Sequence, residues 1–456
     1  MGARLTDSAL YGHLWATDEL RAIFDERERL RSWLEILSTL AEAQAELSIV
    51  PLEAAEAIRD RASVDALDLE YVAAETVATG HSTLGLIHGL RRILPPQARE
   101  WVYYGGTVQD LTDTWTALTM RRVGEIARRE LGAIEDASLE LARRYRDTPM
   151  PGRTHGQAGS PITFGLKAAT WADEVHRDLD RLSEGAPRWS AGQLAGAVGN
   201  LAFFGDKGIE LRRVFCERLG LGDPGVSWTS SRDRPAEFTL VLSMIAGTLG
   251  RIGNEVSQLQ RSEIGEVREP ADVSNVGSIT MPHKRNPEVS EHLVTLARLV
   301  RAQGGVLLEG MVAEHERDGR GWKAEWIALP EACLLTGAAL SFGRRLLEGL
   351  EVDEEAMRRN LETSAFSASE RVLTALSPVL GKHHAQARLQ DLLEQARRTG
   401  ISFEDALLAD DEVRAQLPEG LVASLSHPDT GGAGAMVDEV LARAAAERES
   451  EHGHRP

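Results

Sequence analysis

The sequence predicts an all-α protein built on long helices, and two kinds of observation predict it. The first is apolar periodicity. Leu242, Ile245, Leu249, Ile252, Val256 and Leu259 alternate spacings of three and four, which puts one apolar seam along a helix. A second seam runs through Ala127, Leu131, Ile134, Leu141 and Tyr145, with Ser138 in one slot, and a third follows Pro287 through Leu293, Leu296, Val300 and Leu307. The second observation is that no proline falls between Pro235 and Pro270. A helix could therefore fill most of that span, reaching about 45 Å if roughly 30 residues were helical. Helices of this length need partners, so the seams predict a bundle whose apolar faces pack on one another.

A chain of 456 residues exceeds one ordinary core, so more than one domain is expected. Breaks are expected at Pro95-Pro96, near a loop at Tyr103–Asp113 and near Thr363–Ser369. The 42% apolar and 27% charged content is that of a soluble globular protein. No uninterrupted apolar run approaches the roughly 20 residues that cross a bilayer, and the N-terminus lacks the apolar core of a secretory signal. The only cysteines, Cys216 and Cys333, make a disulfide framework improbable and suit a reducing cytoplasm. The formal charge of −19 argues against nucleic acid as a partner. It does not exclude a small anionic substrate, because a few cations can make a positive pocket in an acidic protein.

Four segments carry polar groups that a helical scaffold does not need. They are Thr79-Gly80-His81-Ser82, Tyr104-Gly105-Gly106-Thr107-Val108-Gln109-Asp110, Gly152-Arg153-Thr154-His155-Gly156-Gln157, and the run from Gly277 to Pro287 followed by Glu291. Each has a glycine that permits close backbone approach or an unusual turn. Such groups could serve a β-elimination. That reaction removes a proton beside a carboxylate and expels a group from the neighbouring carbon. It needs a base, an acid and a cationic clamp for the charge that develops on the carboxylate. No metal-spacing or phosphate-loop motif stands out, and this chemistry needs no cofactor.

The run Gly277-Ser278-Ile279-Thr280-Met281-Pro282-His283-Lys284-Arg285-Asn286-Pro287 resembles the signature loop of the fumarase/aspartase superfamily. Within it the chain looks most like adenylosuccinate lyases and 3-carboxy-cis,cis-muconate cycloisomerases. The resemblance implies three helical domains, taken as residues 1–112, 113–364 and 365–456. The central one would form the core of a homotetramer whose active sites are shared between subunits. It implies Ser278 as general base, His155 as general acid, Glu291 as the carboxylate that orients His155, and His81 as a second active-site histidine. Lys284 and Asn286 match positions that bind a substrate carboxylate. Thr107, Gln109, Asp110, Thr154 and Gln157 are expected to line the substrate pocket.

Two branches of the family compete. Glu314-His315-Glu316-Arg317-Asp318 and Trp322-Lys323-Ala324-Glu325-Trp326 look like cycloisomerase sequence, and Arg317 is expected to bind substrate. Bacterial cycloisomerases of this kind usually lack the histidine matched by His155, since closing a lactone expels no amine. Retention of His155, Glu291 and His81 favours a lyase that releases fumarate and a nitrogen-containing group. A cycloisomerase is the alternative, and a non-catalytic structural homologue a more distant one. Thr107-Val108-Gln109-Asp110 and Ser231-Arg232-Asp233-Arg234 depart from the patterns of purine-handling relatives, which points to a smaller succinate derivative.

Overall fold

The proline-free stretch forms one helix, Asp233–Leu259, whose 27 residues span about 40 Å. Pro235 lies in its first turn, where a missing N–H breaks no helical bond. Every residue of the expected seam, from Leu242 to Leu259, is at most 2% exposed. This computed structural model describes residues 4–270, 280–281, 283–364 and 368–453. It is an all-α protein. Its five longest helices are α1 (Val108–Arg144), α2 (Phe164–Trp189), α3 (Asp233–Leu259), α4 (Glu288–Gly310) and α5 (Gly319–Glu348). The other two seams lie on α1 and α4, and Ser138 fills its slot by donating its hydroxyl to the Ile134 carbonyl.

The chain divides into two compact units. Met1–Leu131, Arg177–Arg251 and His292–Phe342 form the first; Gly132–His176, Ile252–Glu291 and Gly343–Pro456 form the second. The divisions fall inside all five long helices. The first unit has a core containing Leu34, Leu37, Ile58, Leu86, Leu90 and Leu211. The second has a core of Val372, Leu376, Leu389, Phe403 and Leu407, supplied by helices at Ser369–Leu380, Lys382–Thr399 and Phe403–Ala409. By composition α5 is long and apolar enough to cross a membrane, but 72% of its most apolar window is buried within the chain.

One local expectation needs correcting. Tyr103–Asp113 is not a loop throughout, because α1 begins at Val108. Asp110 explains this: its carboxylate accepts the Thr107 N–H at 2.8 Å while its own N–H reaches the Thr107 carbonyl. The carboxylate bond is half of a capping box, so the T-x-x-D spacing starts a helix. The Gly152–Gln157 segment, to which the sequence assigned no element, is strand and turn. It turns an antiparallel hairpin made of β1 (Pro149–Thr154) and β2 (Gln157–Thr163). His155 and Gly156 take φ of +52° and +73°, so the two-residue turn has the left-handed backbone that matches strand twist. A further pair, β3 (Val267–Arg268) and β4 (Glu351–Val352), is two residues long.

Candidate active site

In the first unit the N-terminus of α1 gathers Thr107, Gln109, Asp110 and Arg317. Asp110 is 3% exposed. Its Oδ1 accepts the Ala195 N–H at 2.8 Å, and its Oδ2 accepts those of Thr107 and Gly196 at 2.8 and 3.2 Å. Burial pushes its carboxyl up to about 7, against the pull of these three donors and of Arg317. Gln109 is fully buried and donates its amide to Asp113 Oδ2 at 3.1 Å and to the Thr229 carbonyl at 3.0 Å. Both side chains therefore point into the protein. Arg317 donates to Thr107 Oγ1 at 2.9 Å and to the Ala197 carbonyl at 3.2 Å. Its Nε–H is buried and has no acceptor among the described residues. Thr107 and Arg317 are thus the members of this group able to turn toward a ligand.

Beneath them lies a group that the sequence reading did not select. Arg232 sits between Asp113 and Glu325, donating to Asp113 at 2.9 and 3.1 Å and to Glu325 Oε1 at 2.8 Å. All three side chains are at most 5% exposed. Through Asp113 the triad also holds Gln109. His81 lies apart from this network in bonding terms. Its Nδ1 lies 3.4 Å from the Thr83 N and 3.3 Å from the Thr83 Oγ1, a contact confined to its own turn.

The second unit carries the other candidates. His155, at the hairpin tip, is exposed together with Thr154 and Gln157. Among the described residues the His155 ring makes no hydrogen bond or ion pair. What is fixed is the strand beneath it: Arg153 makes two parallel bonds, of 2.8 and 2.6 Å, to the fully buried carboxylate of Glu266. Lys284 and Glu291 are exposed as well, the latter in the first turn of α4, and Asn286 donates to Glu288 at 3.0 Å. The Lys284 ammonium has no carboxylate partner among the described residues. Ser278 lies outside the described residues. The sequence reading missed Glu266; its only signal was a series of acidic residues, Glu263, Glu266, Glu269 and Asp272, between a long helix and the loop. A cavity of about 1230 Å³, also in the second unit, is lined by Ser160, Arg371, Phe403 and His427 among others, and by none of the selected residues.

Comparison with known proteins gives concordant results. Residues 14–302 match the lyase family Lyase_1. The chain is 37% identical to the N-acetyl-S-(2-succino)cysteine lyase of Dickeya dadantii, over 97% of this chain and 98% of that one. It is 37% identical to the adenylosuccinate lyase of Methanothermobacter thermautotrophicus, over 94% and 96% of the two chains. Among solved structures it resembles the 3-carboxy-cis,cis-muconate lactonizing enzyme of Pseudomonas putida. The TM-score is 0.87 at 33% identity, covering 95% of this chain and 98% of that one.

Proposed function

The chain belongs to the lyase family of the fumarase/aspartase superfamily, and we propose that it releases fumarate from a 2-substituted succinate. One observation carries this reading. Two relatives that align with nearly the whole chain are named for a succino or succinate portion borne on unlike partners, a cysteine sulfur in one and an adenyl group in the other. The succinate half is the common element, and eliminating across its two central carbons leaves fumarate. The leaving group is attached through nitrogen or sulfur. The sulfur case widens the nitrogen-only expectation of the sequence, on the strength of the first of these relatives.

In this mechanism Ser278 takes the proton from the carbon that lacks the leaving group. The electron pair spreads into the adjacent carboxylate, which Lys284 and Asn286 stabilise. The bond from the other carbon to the heteroatom then breaks, and His155 protonates the departing atom. An amine needs this proton. A thiol, with an ordinary pKa near 8.5, leaves as thiolate with far less help. Glu291 orients His155 in the assembled tetramer, since no bond joins the two within one chain among the described residues, while Thr154 and Gln157 line the pocket. Thr107 and Arg317 hold the second carboxylate, with Gln109 and Asp110 fixing the backbone that presents them. His81 offers a second proton-carrying ring. A homotetramer with shared sites fits the exposure of His155, Thr154, Gln157 and Lys284 on the single chain.

A second reading, lactone formation from a carboxymuconate, is favoured by the similarity to the lactonizing enzyme. Proton NMR of reactions with N- and S-substituted succinates and with carboxymuconate separates the two. Fumarate from a succinate supports the lyase; lactone from carboxymuconate with no fumarate from any succinate overturns it. In the lyase, Ser278→Ala should lower turnover at least about a hundredfold while the fold persists, the usual contribution of a general base.

A further inference from the structure

Strand β3 is flanked by two buried glutamates that grip different parts of the second unit. Glu266 holds the hairpin through Arg153, and it also accepts the Asn360 amide at 2.7 Å. Glu269, 6% exposed, reaches the start of α4. Its Oε2 accepts the Val289 N–H at 3.1 Å and its Oε1 accepts the Ser290 N–H at 2.6 Å.

The first N–H groups of a helix have no partner within it and are usually satisfied by the side chain just before the helix. Here that position is Pro287, which has no accepting side chain. Glu269 supplies the cap from a remote segment, with both carboxyl oxygens set against the positive end of α4. The same residue closes a second ring of bonds. Its N–H donates to Gln260 Oε1 at 2.7 Å, the Gln260 amide donates to the Arg285 carbonyl at 3.2 Å, and the Arg285 guanidinium donates to the Glu269 carbonyl at 2.8 Å. Arg285 lies between Lys284 and Asn286, and Glu291 follows Ser290 directly. A serine or aspartate at position 287 would cap the helix equally well. A remote carboxylate also couples α4 to the segment that grips the hairpin.

We infer that Glu269 is a positioning residue for the acid half of the reaction: it sets the first turn of α4, and hence Glu291, while Glu266 anchors the strand that bears His155. The inference rests on the lyase reading for its catalytic meaning, and its structural part can be measured separately.

The test is Glu269→Gln, which keeps one accepting oxygen but turns an N–H₂ group toward a helix N–H. With a succinate bearing an amine leaving group, kcat should fall about 10- to 100-fold, the scale of a small misplacement of catalytic groups. With a thiol leaving group the loss should be clearly smaller, and KM should change little in both cases. Glu269→Asp, which retains two accepting oxygens, should recover part of the loss. Hydrogen exchange at Val289 and Ser290 should accelerate in the Gln variant. Equal losses for both leaving groups would reduce Glu269 to a purely structural cap, and unchanged exchange would remove the cap itself. If the unsubstituted protein releases fumarate from neither succinate, the lyase reading fails, while the exchange experiment still decides whether Glu269 holds α4.

Discussion

The N-terminus of α1 and the tip of the β1–β2 hairpin are both polar and glycine-rich in sequence, yet they differ in where their polar groups go. At α1, Asp110 spends both oxygens on three backbone N–H groups, and Gln109 and Arg232 converge on Asp113. At the hairpin, His155, Thr154 and Gln157 face outward, and order comes from Arg153 and Glu266 below. Polar groups satisfied inside the fold support stability; polar groups left unsatisfied on a rigid mount are available for chemistry. Burial and partnering therefore separate a buried frame from an exposed tip, even where the sequence motifs look alike.

That contrast can be broken most forcefully at Arg232. Arg232→Ala leaves Asp113 and Glu325 buried without their cation, and it should cost about 3–5 kcal/mol of stability in chemical denaturation. His155→Ala, at an exposed site, should stay within about 0.5 kcal/mol. Similar stability losses for the two would erase the distinction. A finer test uses pH. The Asp110 carboxyl is raised from its ordinary 3.8 to about 7 in the folded protein, so the folded state holds that proton more tightly than the unfolded chain. Its contribution to stability is complete below about pH 4 and is lost as the pH rises toward 7. Asp110→Asn should flatten that part of the stability–pH curve; an unaltered slope would show that Asp110 does not titrate in this window.

Three of the five long helices, α1, α3 and α4, were legible because their apolar seams recur at spacings of three and four, with Ser138 filling one slot in α1 and one step missing between Val300 and Leu307 in α4. Leu242 to Leu259 are buried as a period of 3.6 requires. The start of α1 was obscured because Thr107 and Asp110 read as loop chemistry when they are a helix cap. The hairpin was missed because its turn is His-Gly, which lacks the usual Asn-Gly or Asp-Gly signal although it takes the same left-handed backbone. The candidate site residues were selected from sequence because motifs carry them. Arg232, Glu266 and Glu269 were not, since each acts on a partner distant along the chain, and no local spacing reveals such a pairing.

The most direct test of the account is leaving-group dependence in His155→Asn. The variant should lose on the order of 10²–10⁴ in turnover with an amine leaving group and far less with a thiol, because only the amine must be protonated as it departs. Thermal stability should match that of the unsubstituted protein. An equal loss for both leaving groups would contradict the assignment of the exposed hairpin tip as the general acid.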